Sequence, residues 1–354
     1  MSISVFEHPL LSGLFGDDKE IASLFTASAD IAAMVRFEVA LAKVQGALGI
    51  IPSEAVNRIA MAAELFEPNF DILERGTARD GVVAPTLVNK LRDAVGDEFT
   101  GHVHFGATSQ DVIDTSLVLR LQHANAILRE RLQQFSGRLG WLDATFGTNR
   151  LMAYTRMQPA IPITVGDRIA SWRSPLIDYE ARLDTLRFPL QFGGAAGTLE
   201  KFGLQGAELR ALLADELELT DKPQWHSQRA FIADFGHLLT LISGSLGKFG
   251  QDIALMAELG GELSLSGSGG SSAMPHKQNP VGAEVLAALA RFNAVQISGL
   301  HQAMVHEQER SGAAWMLEWM VLPQIVAATG AALNVALTLA DNIVCIGTVH
   351  SDKT

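Results

Sequence analysis

The chain has 354 residues, enough for two or three domains or one long helical architecture. Apolar residues make up 48% and aromatics 7%, Ala and Leu are prominent and β-branched residues rarely cluster, which points to a helix-packed core rather than a sheet protein. A net charge of −12 argues against a nucleic-acid partner but leaves an anionic substrate open, since local charge decides binding; one cysteine, Cys345, excludes an internal disulfide framework and a thiolate metal cluster.

The first residues, MSISVFEHPLLSGLFGDD, lack a basic segment followed by an apolar core, so no signal peptide is expected and cytoplasm is the expected compartment. Residues 1–103 are expected to form a small helical N-terminal domain. Asp30 is placed as the cap of a helix that runs through IAAMVRFEVALAKVQGALG and stops at Gly49. Pro52 and Ser53 open another helix, 67–81 hold a loop and a short helix, and 84–95 form one more.

Residues 104–347 are expected to be a central long-helix bundle domain, with 348–354 as a short tail. Ser109 to Thr115 lead into a long helix whose apolar positions Leu117, Leu121, Ala124, Leu128, Leu132, Phe135, Leu139 and Leu142 step by three or four throughout. The pattern predicts further helices over 162–187, 204–217, 231–256, 281–310 and 315–346, the last one interrupted or entered at Pro323, with a glycine-rich break at 188–200. Several helices of this length imply a bundle, and their small-residue faces imply burial by other subunits. The apolar stretch 325–347 is interrupted by Asn334, Asp341 and Asn342 and has no basic flank, so it is read as a buried central helix and not a membrane span.

The stretch that carries most chemistry is GSGGSSAMPHKQNP, 267–280. Its glycines permit close approach to a ligand, Ser271 and Ser272 bring hydroxyls, and Lys277 with Asn279 suits a carboxylate. It is not a dinucleotide fingerprint, because no strand precedes it and Ser272 occupies the third glycine position. In HVHFGATSQDVIDT, Thr108 and Ser109 sit just ahead of a helix, as simple caps or at an anion site. His102 and His104 have metal-ligand spacing but no third ligand in register, so no metal is expected; His104 fits a carboxylate contact or a structural role. In YTRMQPAIP, Arg156 and Gln158 are placed at a helix entrance, where Arg156 can clamp a carboxylate or form a surface ion pair. In QWHSQR, His226 and Arg229 are placed one helical turn apart on one face. Glu307, Glu309 and Arg310 read as a charged helix end.

The seven residues Gly270, Ser271, Ser272, Met274, Pro275, Lys277 and Asn279 match the G-S-S-x-M-P-x-K-x-N loop of the fumarase/aspartase superfamily, which this chain resembles over nearly its whole length. The resemblance implies an all-α, fumarase/aspartase-like long-helix bundle. It also implies a homotetramer whose active sites each take motif regions, here 106–115, 154–160 and 267–280, from three subunits. Superfamily members carry a third, C-terminal helical domain; this chain ends at Thr354 soon after its last long helix, so that domain is expected to be reduced or absent. Within the superfamily FGGAAGTL at 192–199, QWHSQR at 224–229 and the ER-x-G-x-x-W run at 309–315 are similar to the bacterial 3-carboxy-cis,cis-muconate cycloisomerase family.

That likeness implies an intramolecular carboxylate addition closing a lactone through an aci-carboxylate intermediate, with no cofactor and no metal. It implies catalytic roles for Ser271 as acid/base, Lys277 and Glu284, and substrate contacts from His104, Thr108, Ser109, Arg156, Gln158, His226, Arg229, Met274, Asn279 and Arg310. The implied partner is a small polycarboxylate, with no nucleic acid and no membrane. Adenylosuccinate and argininosuccinate lyases usually carry T-H-x-Q where this chain has Arg156, and arginine is a poor proton shuttle. Another superfamily lyase, a cycloisomerase preferring a sulfonated muconate, and a non-catalytic helical scaffold are the other readings.

Overall fold

The computed structural model describes residues 4–267, 269–270 and 279–348. Helices α1 (Lys19–Ser23), α2 (Ala27–Ala47), α3 (Ser53–Glu64), α4 (Phe70–Asp80) and α5 (Ala84–Val95) lead to α6 (Ser109–Phe146), the longest. A hairpin follows, β1 (Arg150–Thr155) and β2 (Gln158–Thr164), then α7 (Val165–Thr185), α8 (Gly206–Glu216) and α9 (Ala230–Leu259). After β3 (Leu263–Leu265) come α10 (Val281–Gln302), α11 (Ala313–Asp341) and β4 (Ile343–Ile346). The fold is an all-α bundle, and among the described residues strands are confined to two antiparallel pairs, β1–β2 and β3–β4.

The expected stripe on α6 is buried from Leu117 to Leu142 and packs on α2, α7 and α11. Phe249 of α9 fits between Phe135 and Trp172, with ring centroids 5.2 and 5.1 Å away in edge-on geometry. In α11 the run Ile325, Val326, Ala328, Ala331, Ala332, Leu333 and Ala336 is fully buried. Its small residues let α6, α9 and α10 close around it. By length and composition α9 and α11 could each cross a membrane, yet more than half of each apolar window is buried inside the bundle. One polar clamp ties three helices: Asn293 Nδ2 of α10 donates to Ser243 Oγ of α9 at 3.1 Å and Thr329 Oγ1 of α11 at 3.0 Å.

Several expected boundaries move, each for a local reason. Thr26, not Asp30, caps α2, its Oγ1 accepting from Ala29 N at 3.2 Å. Asp30 sits a turn further in and binds Arg120 and Ser116 of α6 instead. The helix expected from 162 starts at Val165, because Pro159 and Pro162 lie in the exposed strand β2, where a missing N–H is tolerated. Thr164 and Asp167 form the capping box that starts α7. Helix α10 ends at Gln302, not 310, and α11 runs unbroken through Pro323, forgoing one helix bond there. The segment before α9 is a turn, so His226 and Arg229 are not on a helix, and Arg229 is the N-cap.

Candidate active site

At the end of the bundle where α6 starts, the chain builds a set of donors on top of buried carboxylates. Thr108 is the N-cap of α6, and its N–H donates to Asp111 Oδ2 at 3.0 Å. Asp111 is fully buried and also accepts from Gly193 N and Gly194 N, both at 2.9 Å, and pairs with His226 Nε2 at 2.8 Å. The glycine-rich break is thus folded back onto the helix start. Only glycine fits at 193, where a Cβ would stand 2.7 Å from Gln224 Cβ and 2.8 Å from His226 Cε1. The first-turn N–H groups of Ser109 and Gln110 have no acceptor among the described residues, so the positive end of α6 stays available to an anion.

A guanidinium and an imidazole flank that helix start. Arg310 donates from Nε to Gln110 Oε1 and from Nη2 to Ala195 O, both at 3.1 Å, leaving its Nη1 group free among the described residues. His104 bonds through Nδ1 to Glu38 Oε1 at 2.6 Å. Burial alone would lower the imidazole pKa, but Glu38, with help from Asp111, outweighs it and holds the ring above its ordinary value.

One turn along α6, Asp114 anchors a second buried cluster. Arg229 donates to Asp114 Oδ2 at 2.6 Å and Oδ1 at 3.0 Å, and to both oxygens of Glu318 at 2.8 and 2.6 Å. Trp315 Nε1 donates to Asp114 Oδ1 at 2.9 Å, and the Trp225 ring lies 4.5 Å from the guanidinium carbon. Burial would lower the Arg229 pKa, yet the two carboxylates hold it above its ordinary value. Arg229 and His226, both 1% exposed, therefore brace α6 from within. Both still face one side, toward Asp111 and Asp114.

The other expected residues lie at the opposite end. Arg156 and Met157 form the two-residue tip of the β1–β2 hairpin, with φ of +49° and +65°. Left-handed backbone is uncommon for such side chains, and both are exposed. Gln158 opens β2 and is exposed. Met152 N donates to Glu262 Oε1 at 3.0 Å, Gly347 N donates to Glu262 O at 2.7 Å, and Ser266 N donates to Asn342 O at 2.8 Å. These bonds set the hairpin beside the base of the 267–280 loop. Asn279 pairs with Gly269 through two backbone bonds of 2.8 and 3.0 Å. It lines a cavity of about 370 Å³ with Asn334 and Asn342. Glu284, in the first turn of α10, is exposed. Ser271, Met274 and Lys277 lie outside the described residues.

One chain therefore gathers His104, Thr108, Ser109 and Arg310, with His226 and Arg229 behind them. It separates these from Arg156, Gln158, Asn279 and Glu284 by the 38 residues of α6, a helix about 57 Å long at 1.5 Å per residue. A larger cleft of about 780 Å³ between α2, α4, α6 and α11 is lined mainly by apolar groups such as Ile31, Phe70, Ile113 and Leu322, and by none of the expected site residues. Sequence reasoning missed Glu38, Asp111, Asp114 and Glu318, acids set among or directly before apolar residues of a helix. Their apolar neighbours were the available signal, since a charge on a buried face needs a partner.

A long-helix bundle with an anion-ready helix start at one end and an arginine-tipped hairpin at the other is of the fumarase/aspartase class. The profile of a family described as Lyase matches residues 17–337, and the chain belongs to that family. It is 39% identical over 334 residues to a 3-carboxy-cis,cis-muconate cycloisomerase of Pseudomonas aeruginosa, covering 91% of this chain and 72% of that protein. A protein of the same name from Acinetobacter baylyi is 36% identical over 331 residues, covering 89% and 73%. The crystal structure of 3-carboxy-cis,cis-muconate lactonizing enzyme from Pseudomonas putida superposes with a TM-score of 0.86 at 36% identity, covering 92% of this chain and 75% of that one.

Proposed function

We propose that this chain is a cycloisomerase that closes 3-carboxy-cis,cis-muconate to 4-carboxymuconolactone. The observation that carries the reading is the helix start at Ser109 and Gln110, whose N–H groups have no acceptor among the described residues, flanked by His104 and Arg310, in a chain so similar to named cycloisomerases. Three carboxylates need several separate donors, and this end supplies one set. The substrate is a small carboxylate, and the compartment is the cytoplasm.

In the reaction one carboxylate oxygen forms a C–O bond to a carbon of the conjugated double bond. The π electrons move onto the carboxylate beyond the other alkene carbon, giving an aci-carboxylate. A proton then adds to the carbon α to that group, and the lactone is complete. Ser271 gives this proton, and Lys277 stabilises the developing charge with Asn279. Glu284 supports that loop from the first turn of α10. Thr108, Ser109, His104 and Arg310 hold substrate carboxylates, Arg156 and Gln158 hold another, and Met274 packs on the substrate carbon chain. His226 and Arg229 serve from behind, through Asp111 and Asp114.

Since one chain keeps its two groups of site residues a helix length apart, the working site is completed between copies, in a homotetramer whose sites each draw on three subunits. The test is to mix the protein with 3-carboxy-cis,cis-muconate and follow loss of the diene absorbance, beside Ser271→Ala. Turnover abolished by the substitution supports both substrate and loop. Turnover that survives it removes Ser271 as the acid. No wild-type turnover rejects the substrate, and the sulfonated analogue, which Arg156 could also hold, is then assayed.

A further inference from the structure

We propose that Glu38 is a positioning residue of this site: from α2 it keeps His104 as an imidazolium with Nε2 left open for a substrate carboxylate at the start of α6. The inference rests on the cycloisomerase reading for the identity of the substrate, and on geometry for the rest.

Glu38 is 2% exposed on the inner side of α2, and its only hydrogen-bond partner among the described residues is His104. A buried carboxylate without a cation is costly, so the pair is most stable with both members charged. Their 2.6 Å separation is a charge-assisted length. With Nδ1 committed to Glu38, Nε2 is the nitrogen left over. It makes no hydrogen bond among the described residues, and the His104 side chain keeps 14% of its surface open.

The backbone is held for this purpose. His104 has φ of +63°, an uncommon conformation for histidine that persists only where surroundings impose it. Gln45 Nε2 donates to Phe105 O at 2.8 Å and Arg92 Nη2 to Val103 O at 3.2 Å, fixing the residues on either side. Gly106, at φ +74°, lets the Phe202 ring press where a Cβ would clash at 2.1 Å. Three groups besides burial act on the ring charge. Glu38 of α2 and Asp111 of α6 favour it, and Arg92 of α5 opposes it. Asp111 is already engaged by His226 and three backbone N–H groups, so Glu38 is the decisive counter-ion. The pair therefore favours the charged ring to a higher pH than an isolated histidine would hold it, and so favours a positive helix start.

The test compares wild type with Glu38→Gln, which keeps an acceptor for Nδ1–H and removes the charge. Initial rates and KM are measured from pH 6 to 9, and calorimetry gives the affinity for propane-1,2,3-tricarboxylate over the same range. The wild-type KM should begin to rise at a higher pH than that of the Gln variant. The Gln variant should match wild type near pH 6 and fall progressively behind in KM and in probe affinity as pH rises, because its histidine loses the proton sooner, with kcat within about twofold. Glu38→Asp should recover much of the lost affinity. A Gln variant that is less stable but has an unmoved pH profile would show a staple only and overturn the proposal. So would a wild-type protein that does not bind the tricarboxylate. If wild type fails to turn over the muconate, the cycloisomerase reading falls, and the pH dependence of probe binding alone decides the role of Glu38.

Discussion

At its start α6 carries two buried aspartates, Asp111 and Asp114, each held by donors from three separate segments. At its finish the chain turns into a hairpin whose tip, Arg156–Met157, is exposed and left-handed. The first end is braced within one chain, since its buried carboxylates are paired and its loops are pinned. The second presents its polar groups outward. That contrast fits the proposed shared site, in which a rigid cradle would meet groups brought by other copies.

The largest effect should come from breaking the cradle. Arg229→Met leaves Asp114 and Glu318 buried without their cation, and denaturant unfolding should show a loss of about 3–5 kcal/mol. A loss under about 1 kcal/mol would mean that the cluster is not a brace. Gly193→Ala pushes a methyl into Gln224 and the His226 ring, and about 1–3 kcal/mol is expected from overpacking. Activity should fall further than stability there, because His226 and Asp111 must shift under the helix start.

The hairpin should answer in the opposite sense. Met157→Gly relieves a left-handed side chain and should raise stability by about 1 kcal/mol, read from the unfolding midpoint. Arg156→Ala should leave the fold standing and lower kcat/KM by at least tenfold, in line with the loss of a charged hydrogen bond. Comparable stability losses at both ends would erase the distinction between them.

The smallest effect is one of pH. The folded imidazole of His104 titrates above its unfolded value, held there by Glu38 against burial. The stabilisation from the pair is thus fully present below about pH 6.5 and is lost as pH rises through the raised folded midpoint. The unfolding midpoint of wild type should therefore decline, relative to His104→Gln, as pH rises above about 6.5. A difference that instead grows as pH rises above about 6.5 would reverse the sign and refute the pairing.

The helices were legible because apolar residues repeat at helical spacing, as from Leu117 to Leu142, and the 267–280 motif named the superfamily. The hairpin was not, because Pro159 and Pro162 resemble a helix entrance as much as an edge strand. Thr26 and Asp30 are both good caps, and only packing against Arg120 decides between them. The site residues were legible as types but not as places. His226 and Arg229 read as possible surface groups, and folding buries them against acids more than 80 residues away in sequence. Glu38, Asp111, Asp114 and Glu318 form such long-range pairs, which no local pattern specifies.

The central claim is that the two ends of α6 meet only between copies. The direct measurement is to mix Ser109→Ala and Arg156→Ala, each chosen to cripple one end, after mild dissociation and reassembly. Random exchange should return about a quarter of the wild-type muconate turnover, from sites that draw each end from an intact copy. Activity that stays at the level of the two separate variants, with subunit exchange confirmed by mass, would contradict a shared site.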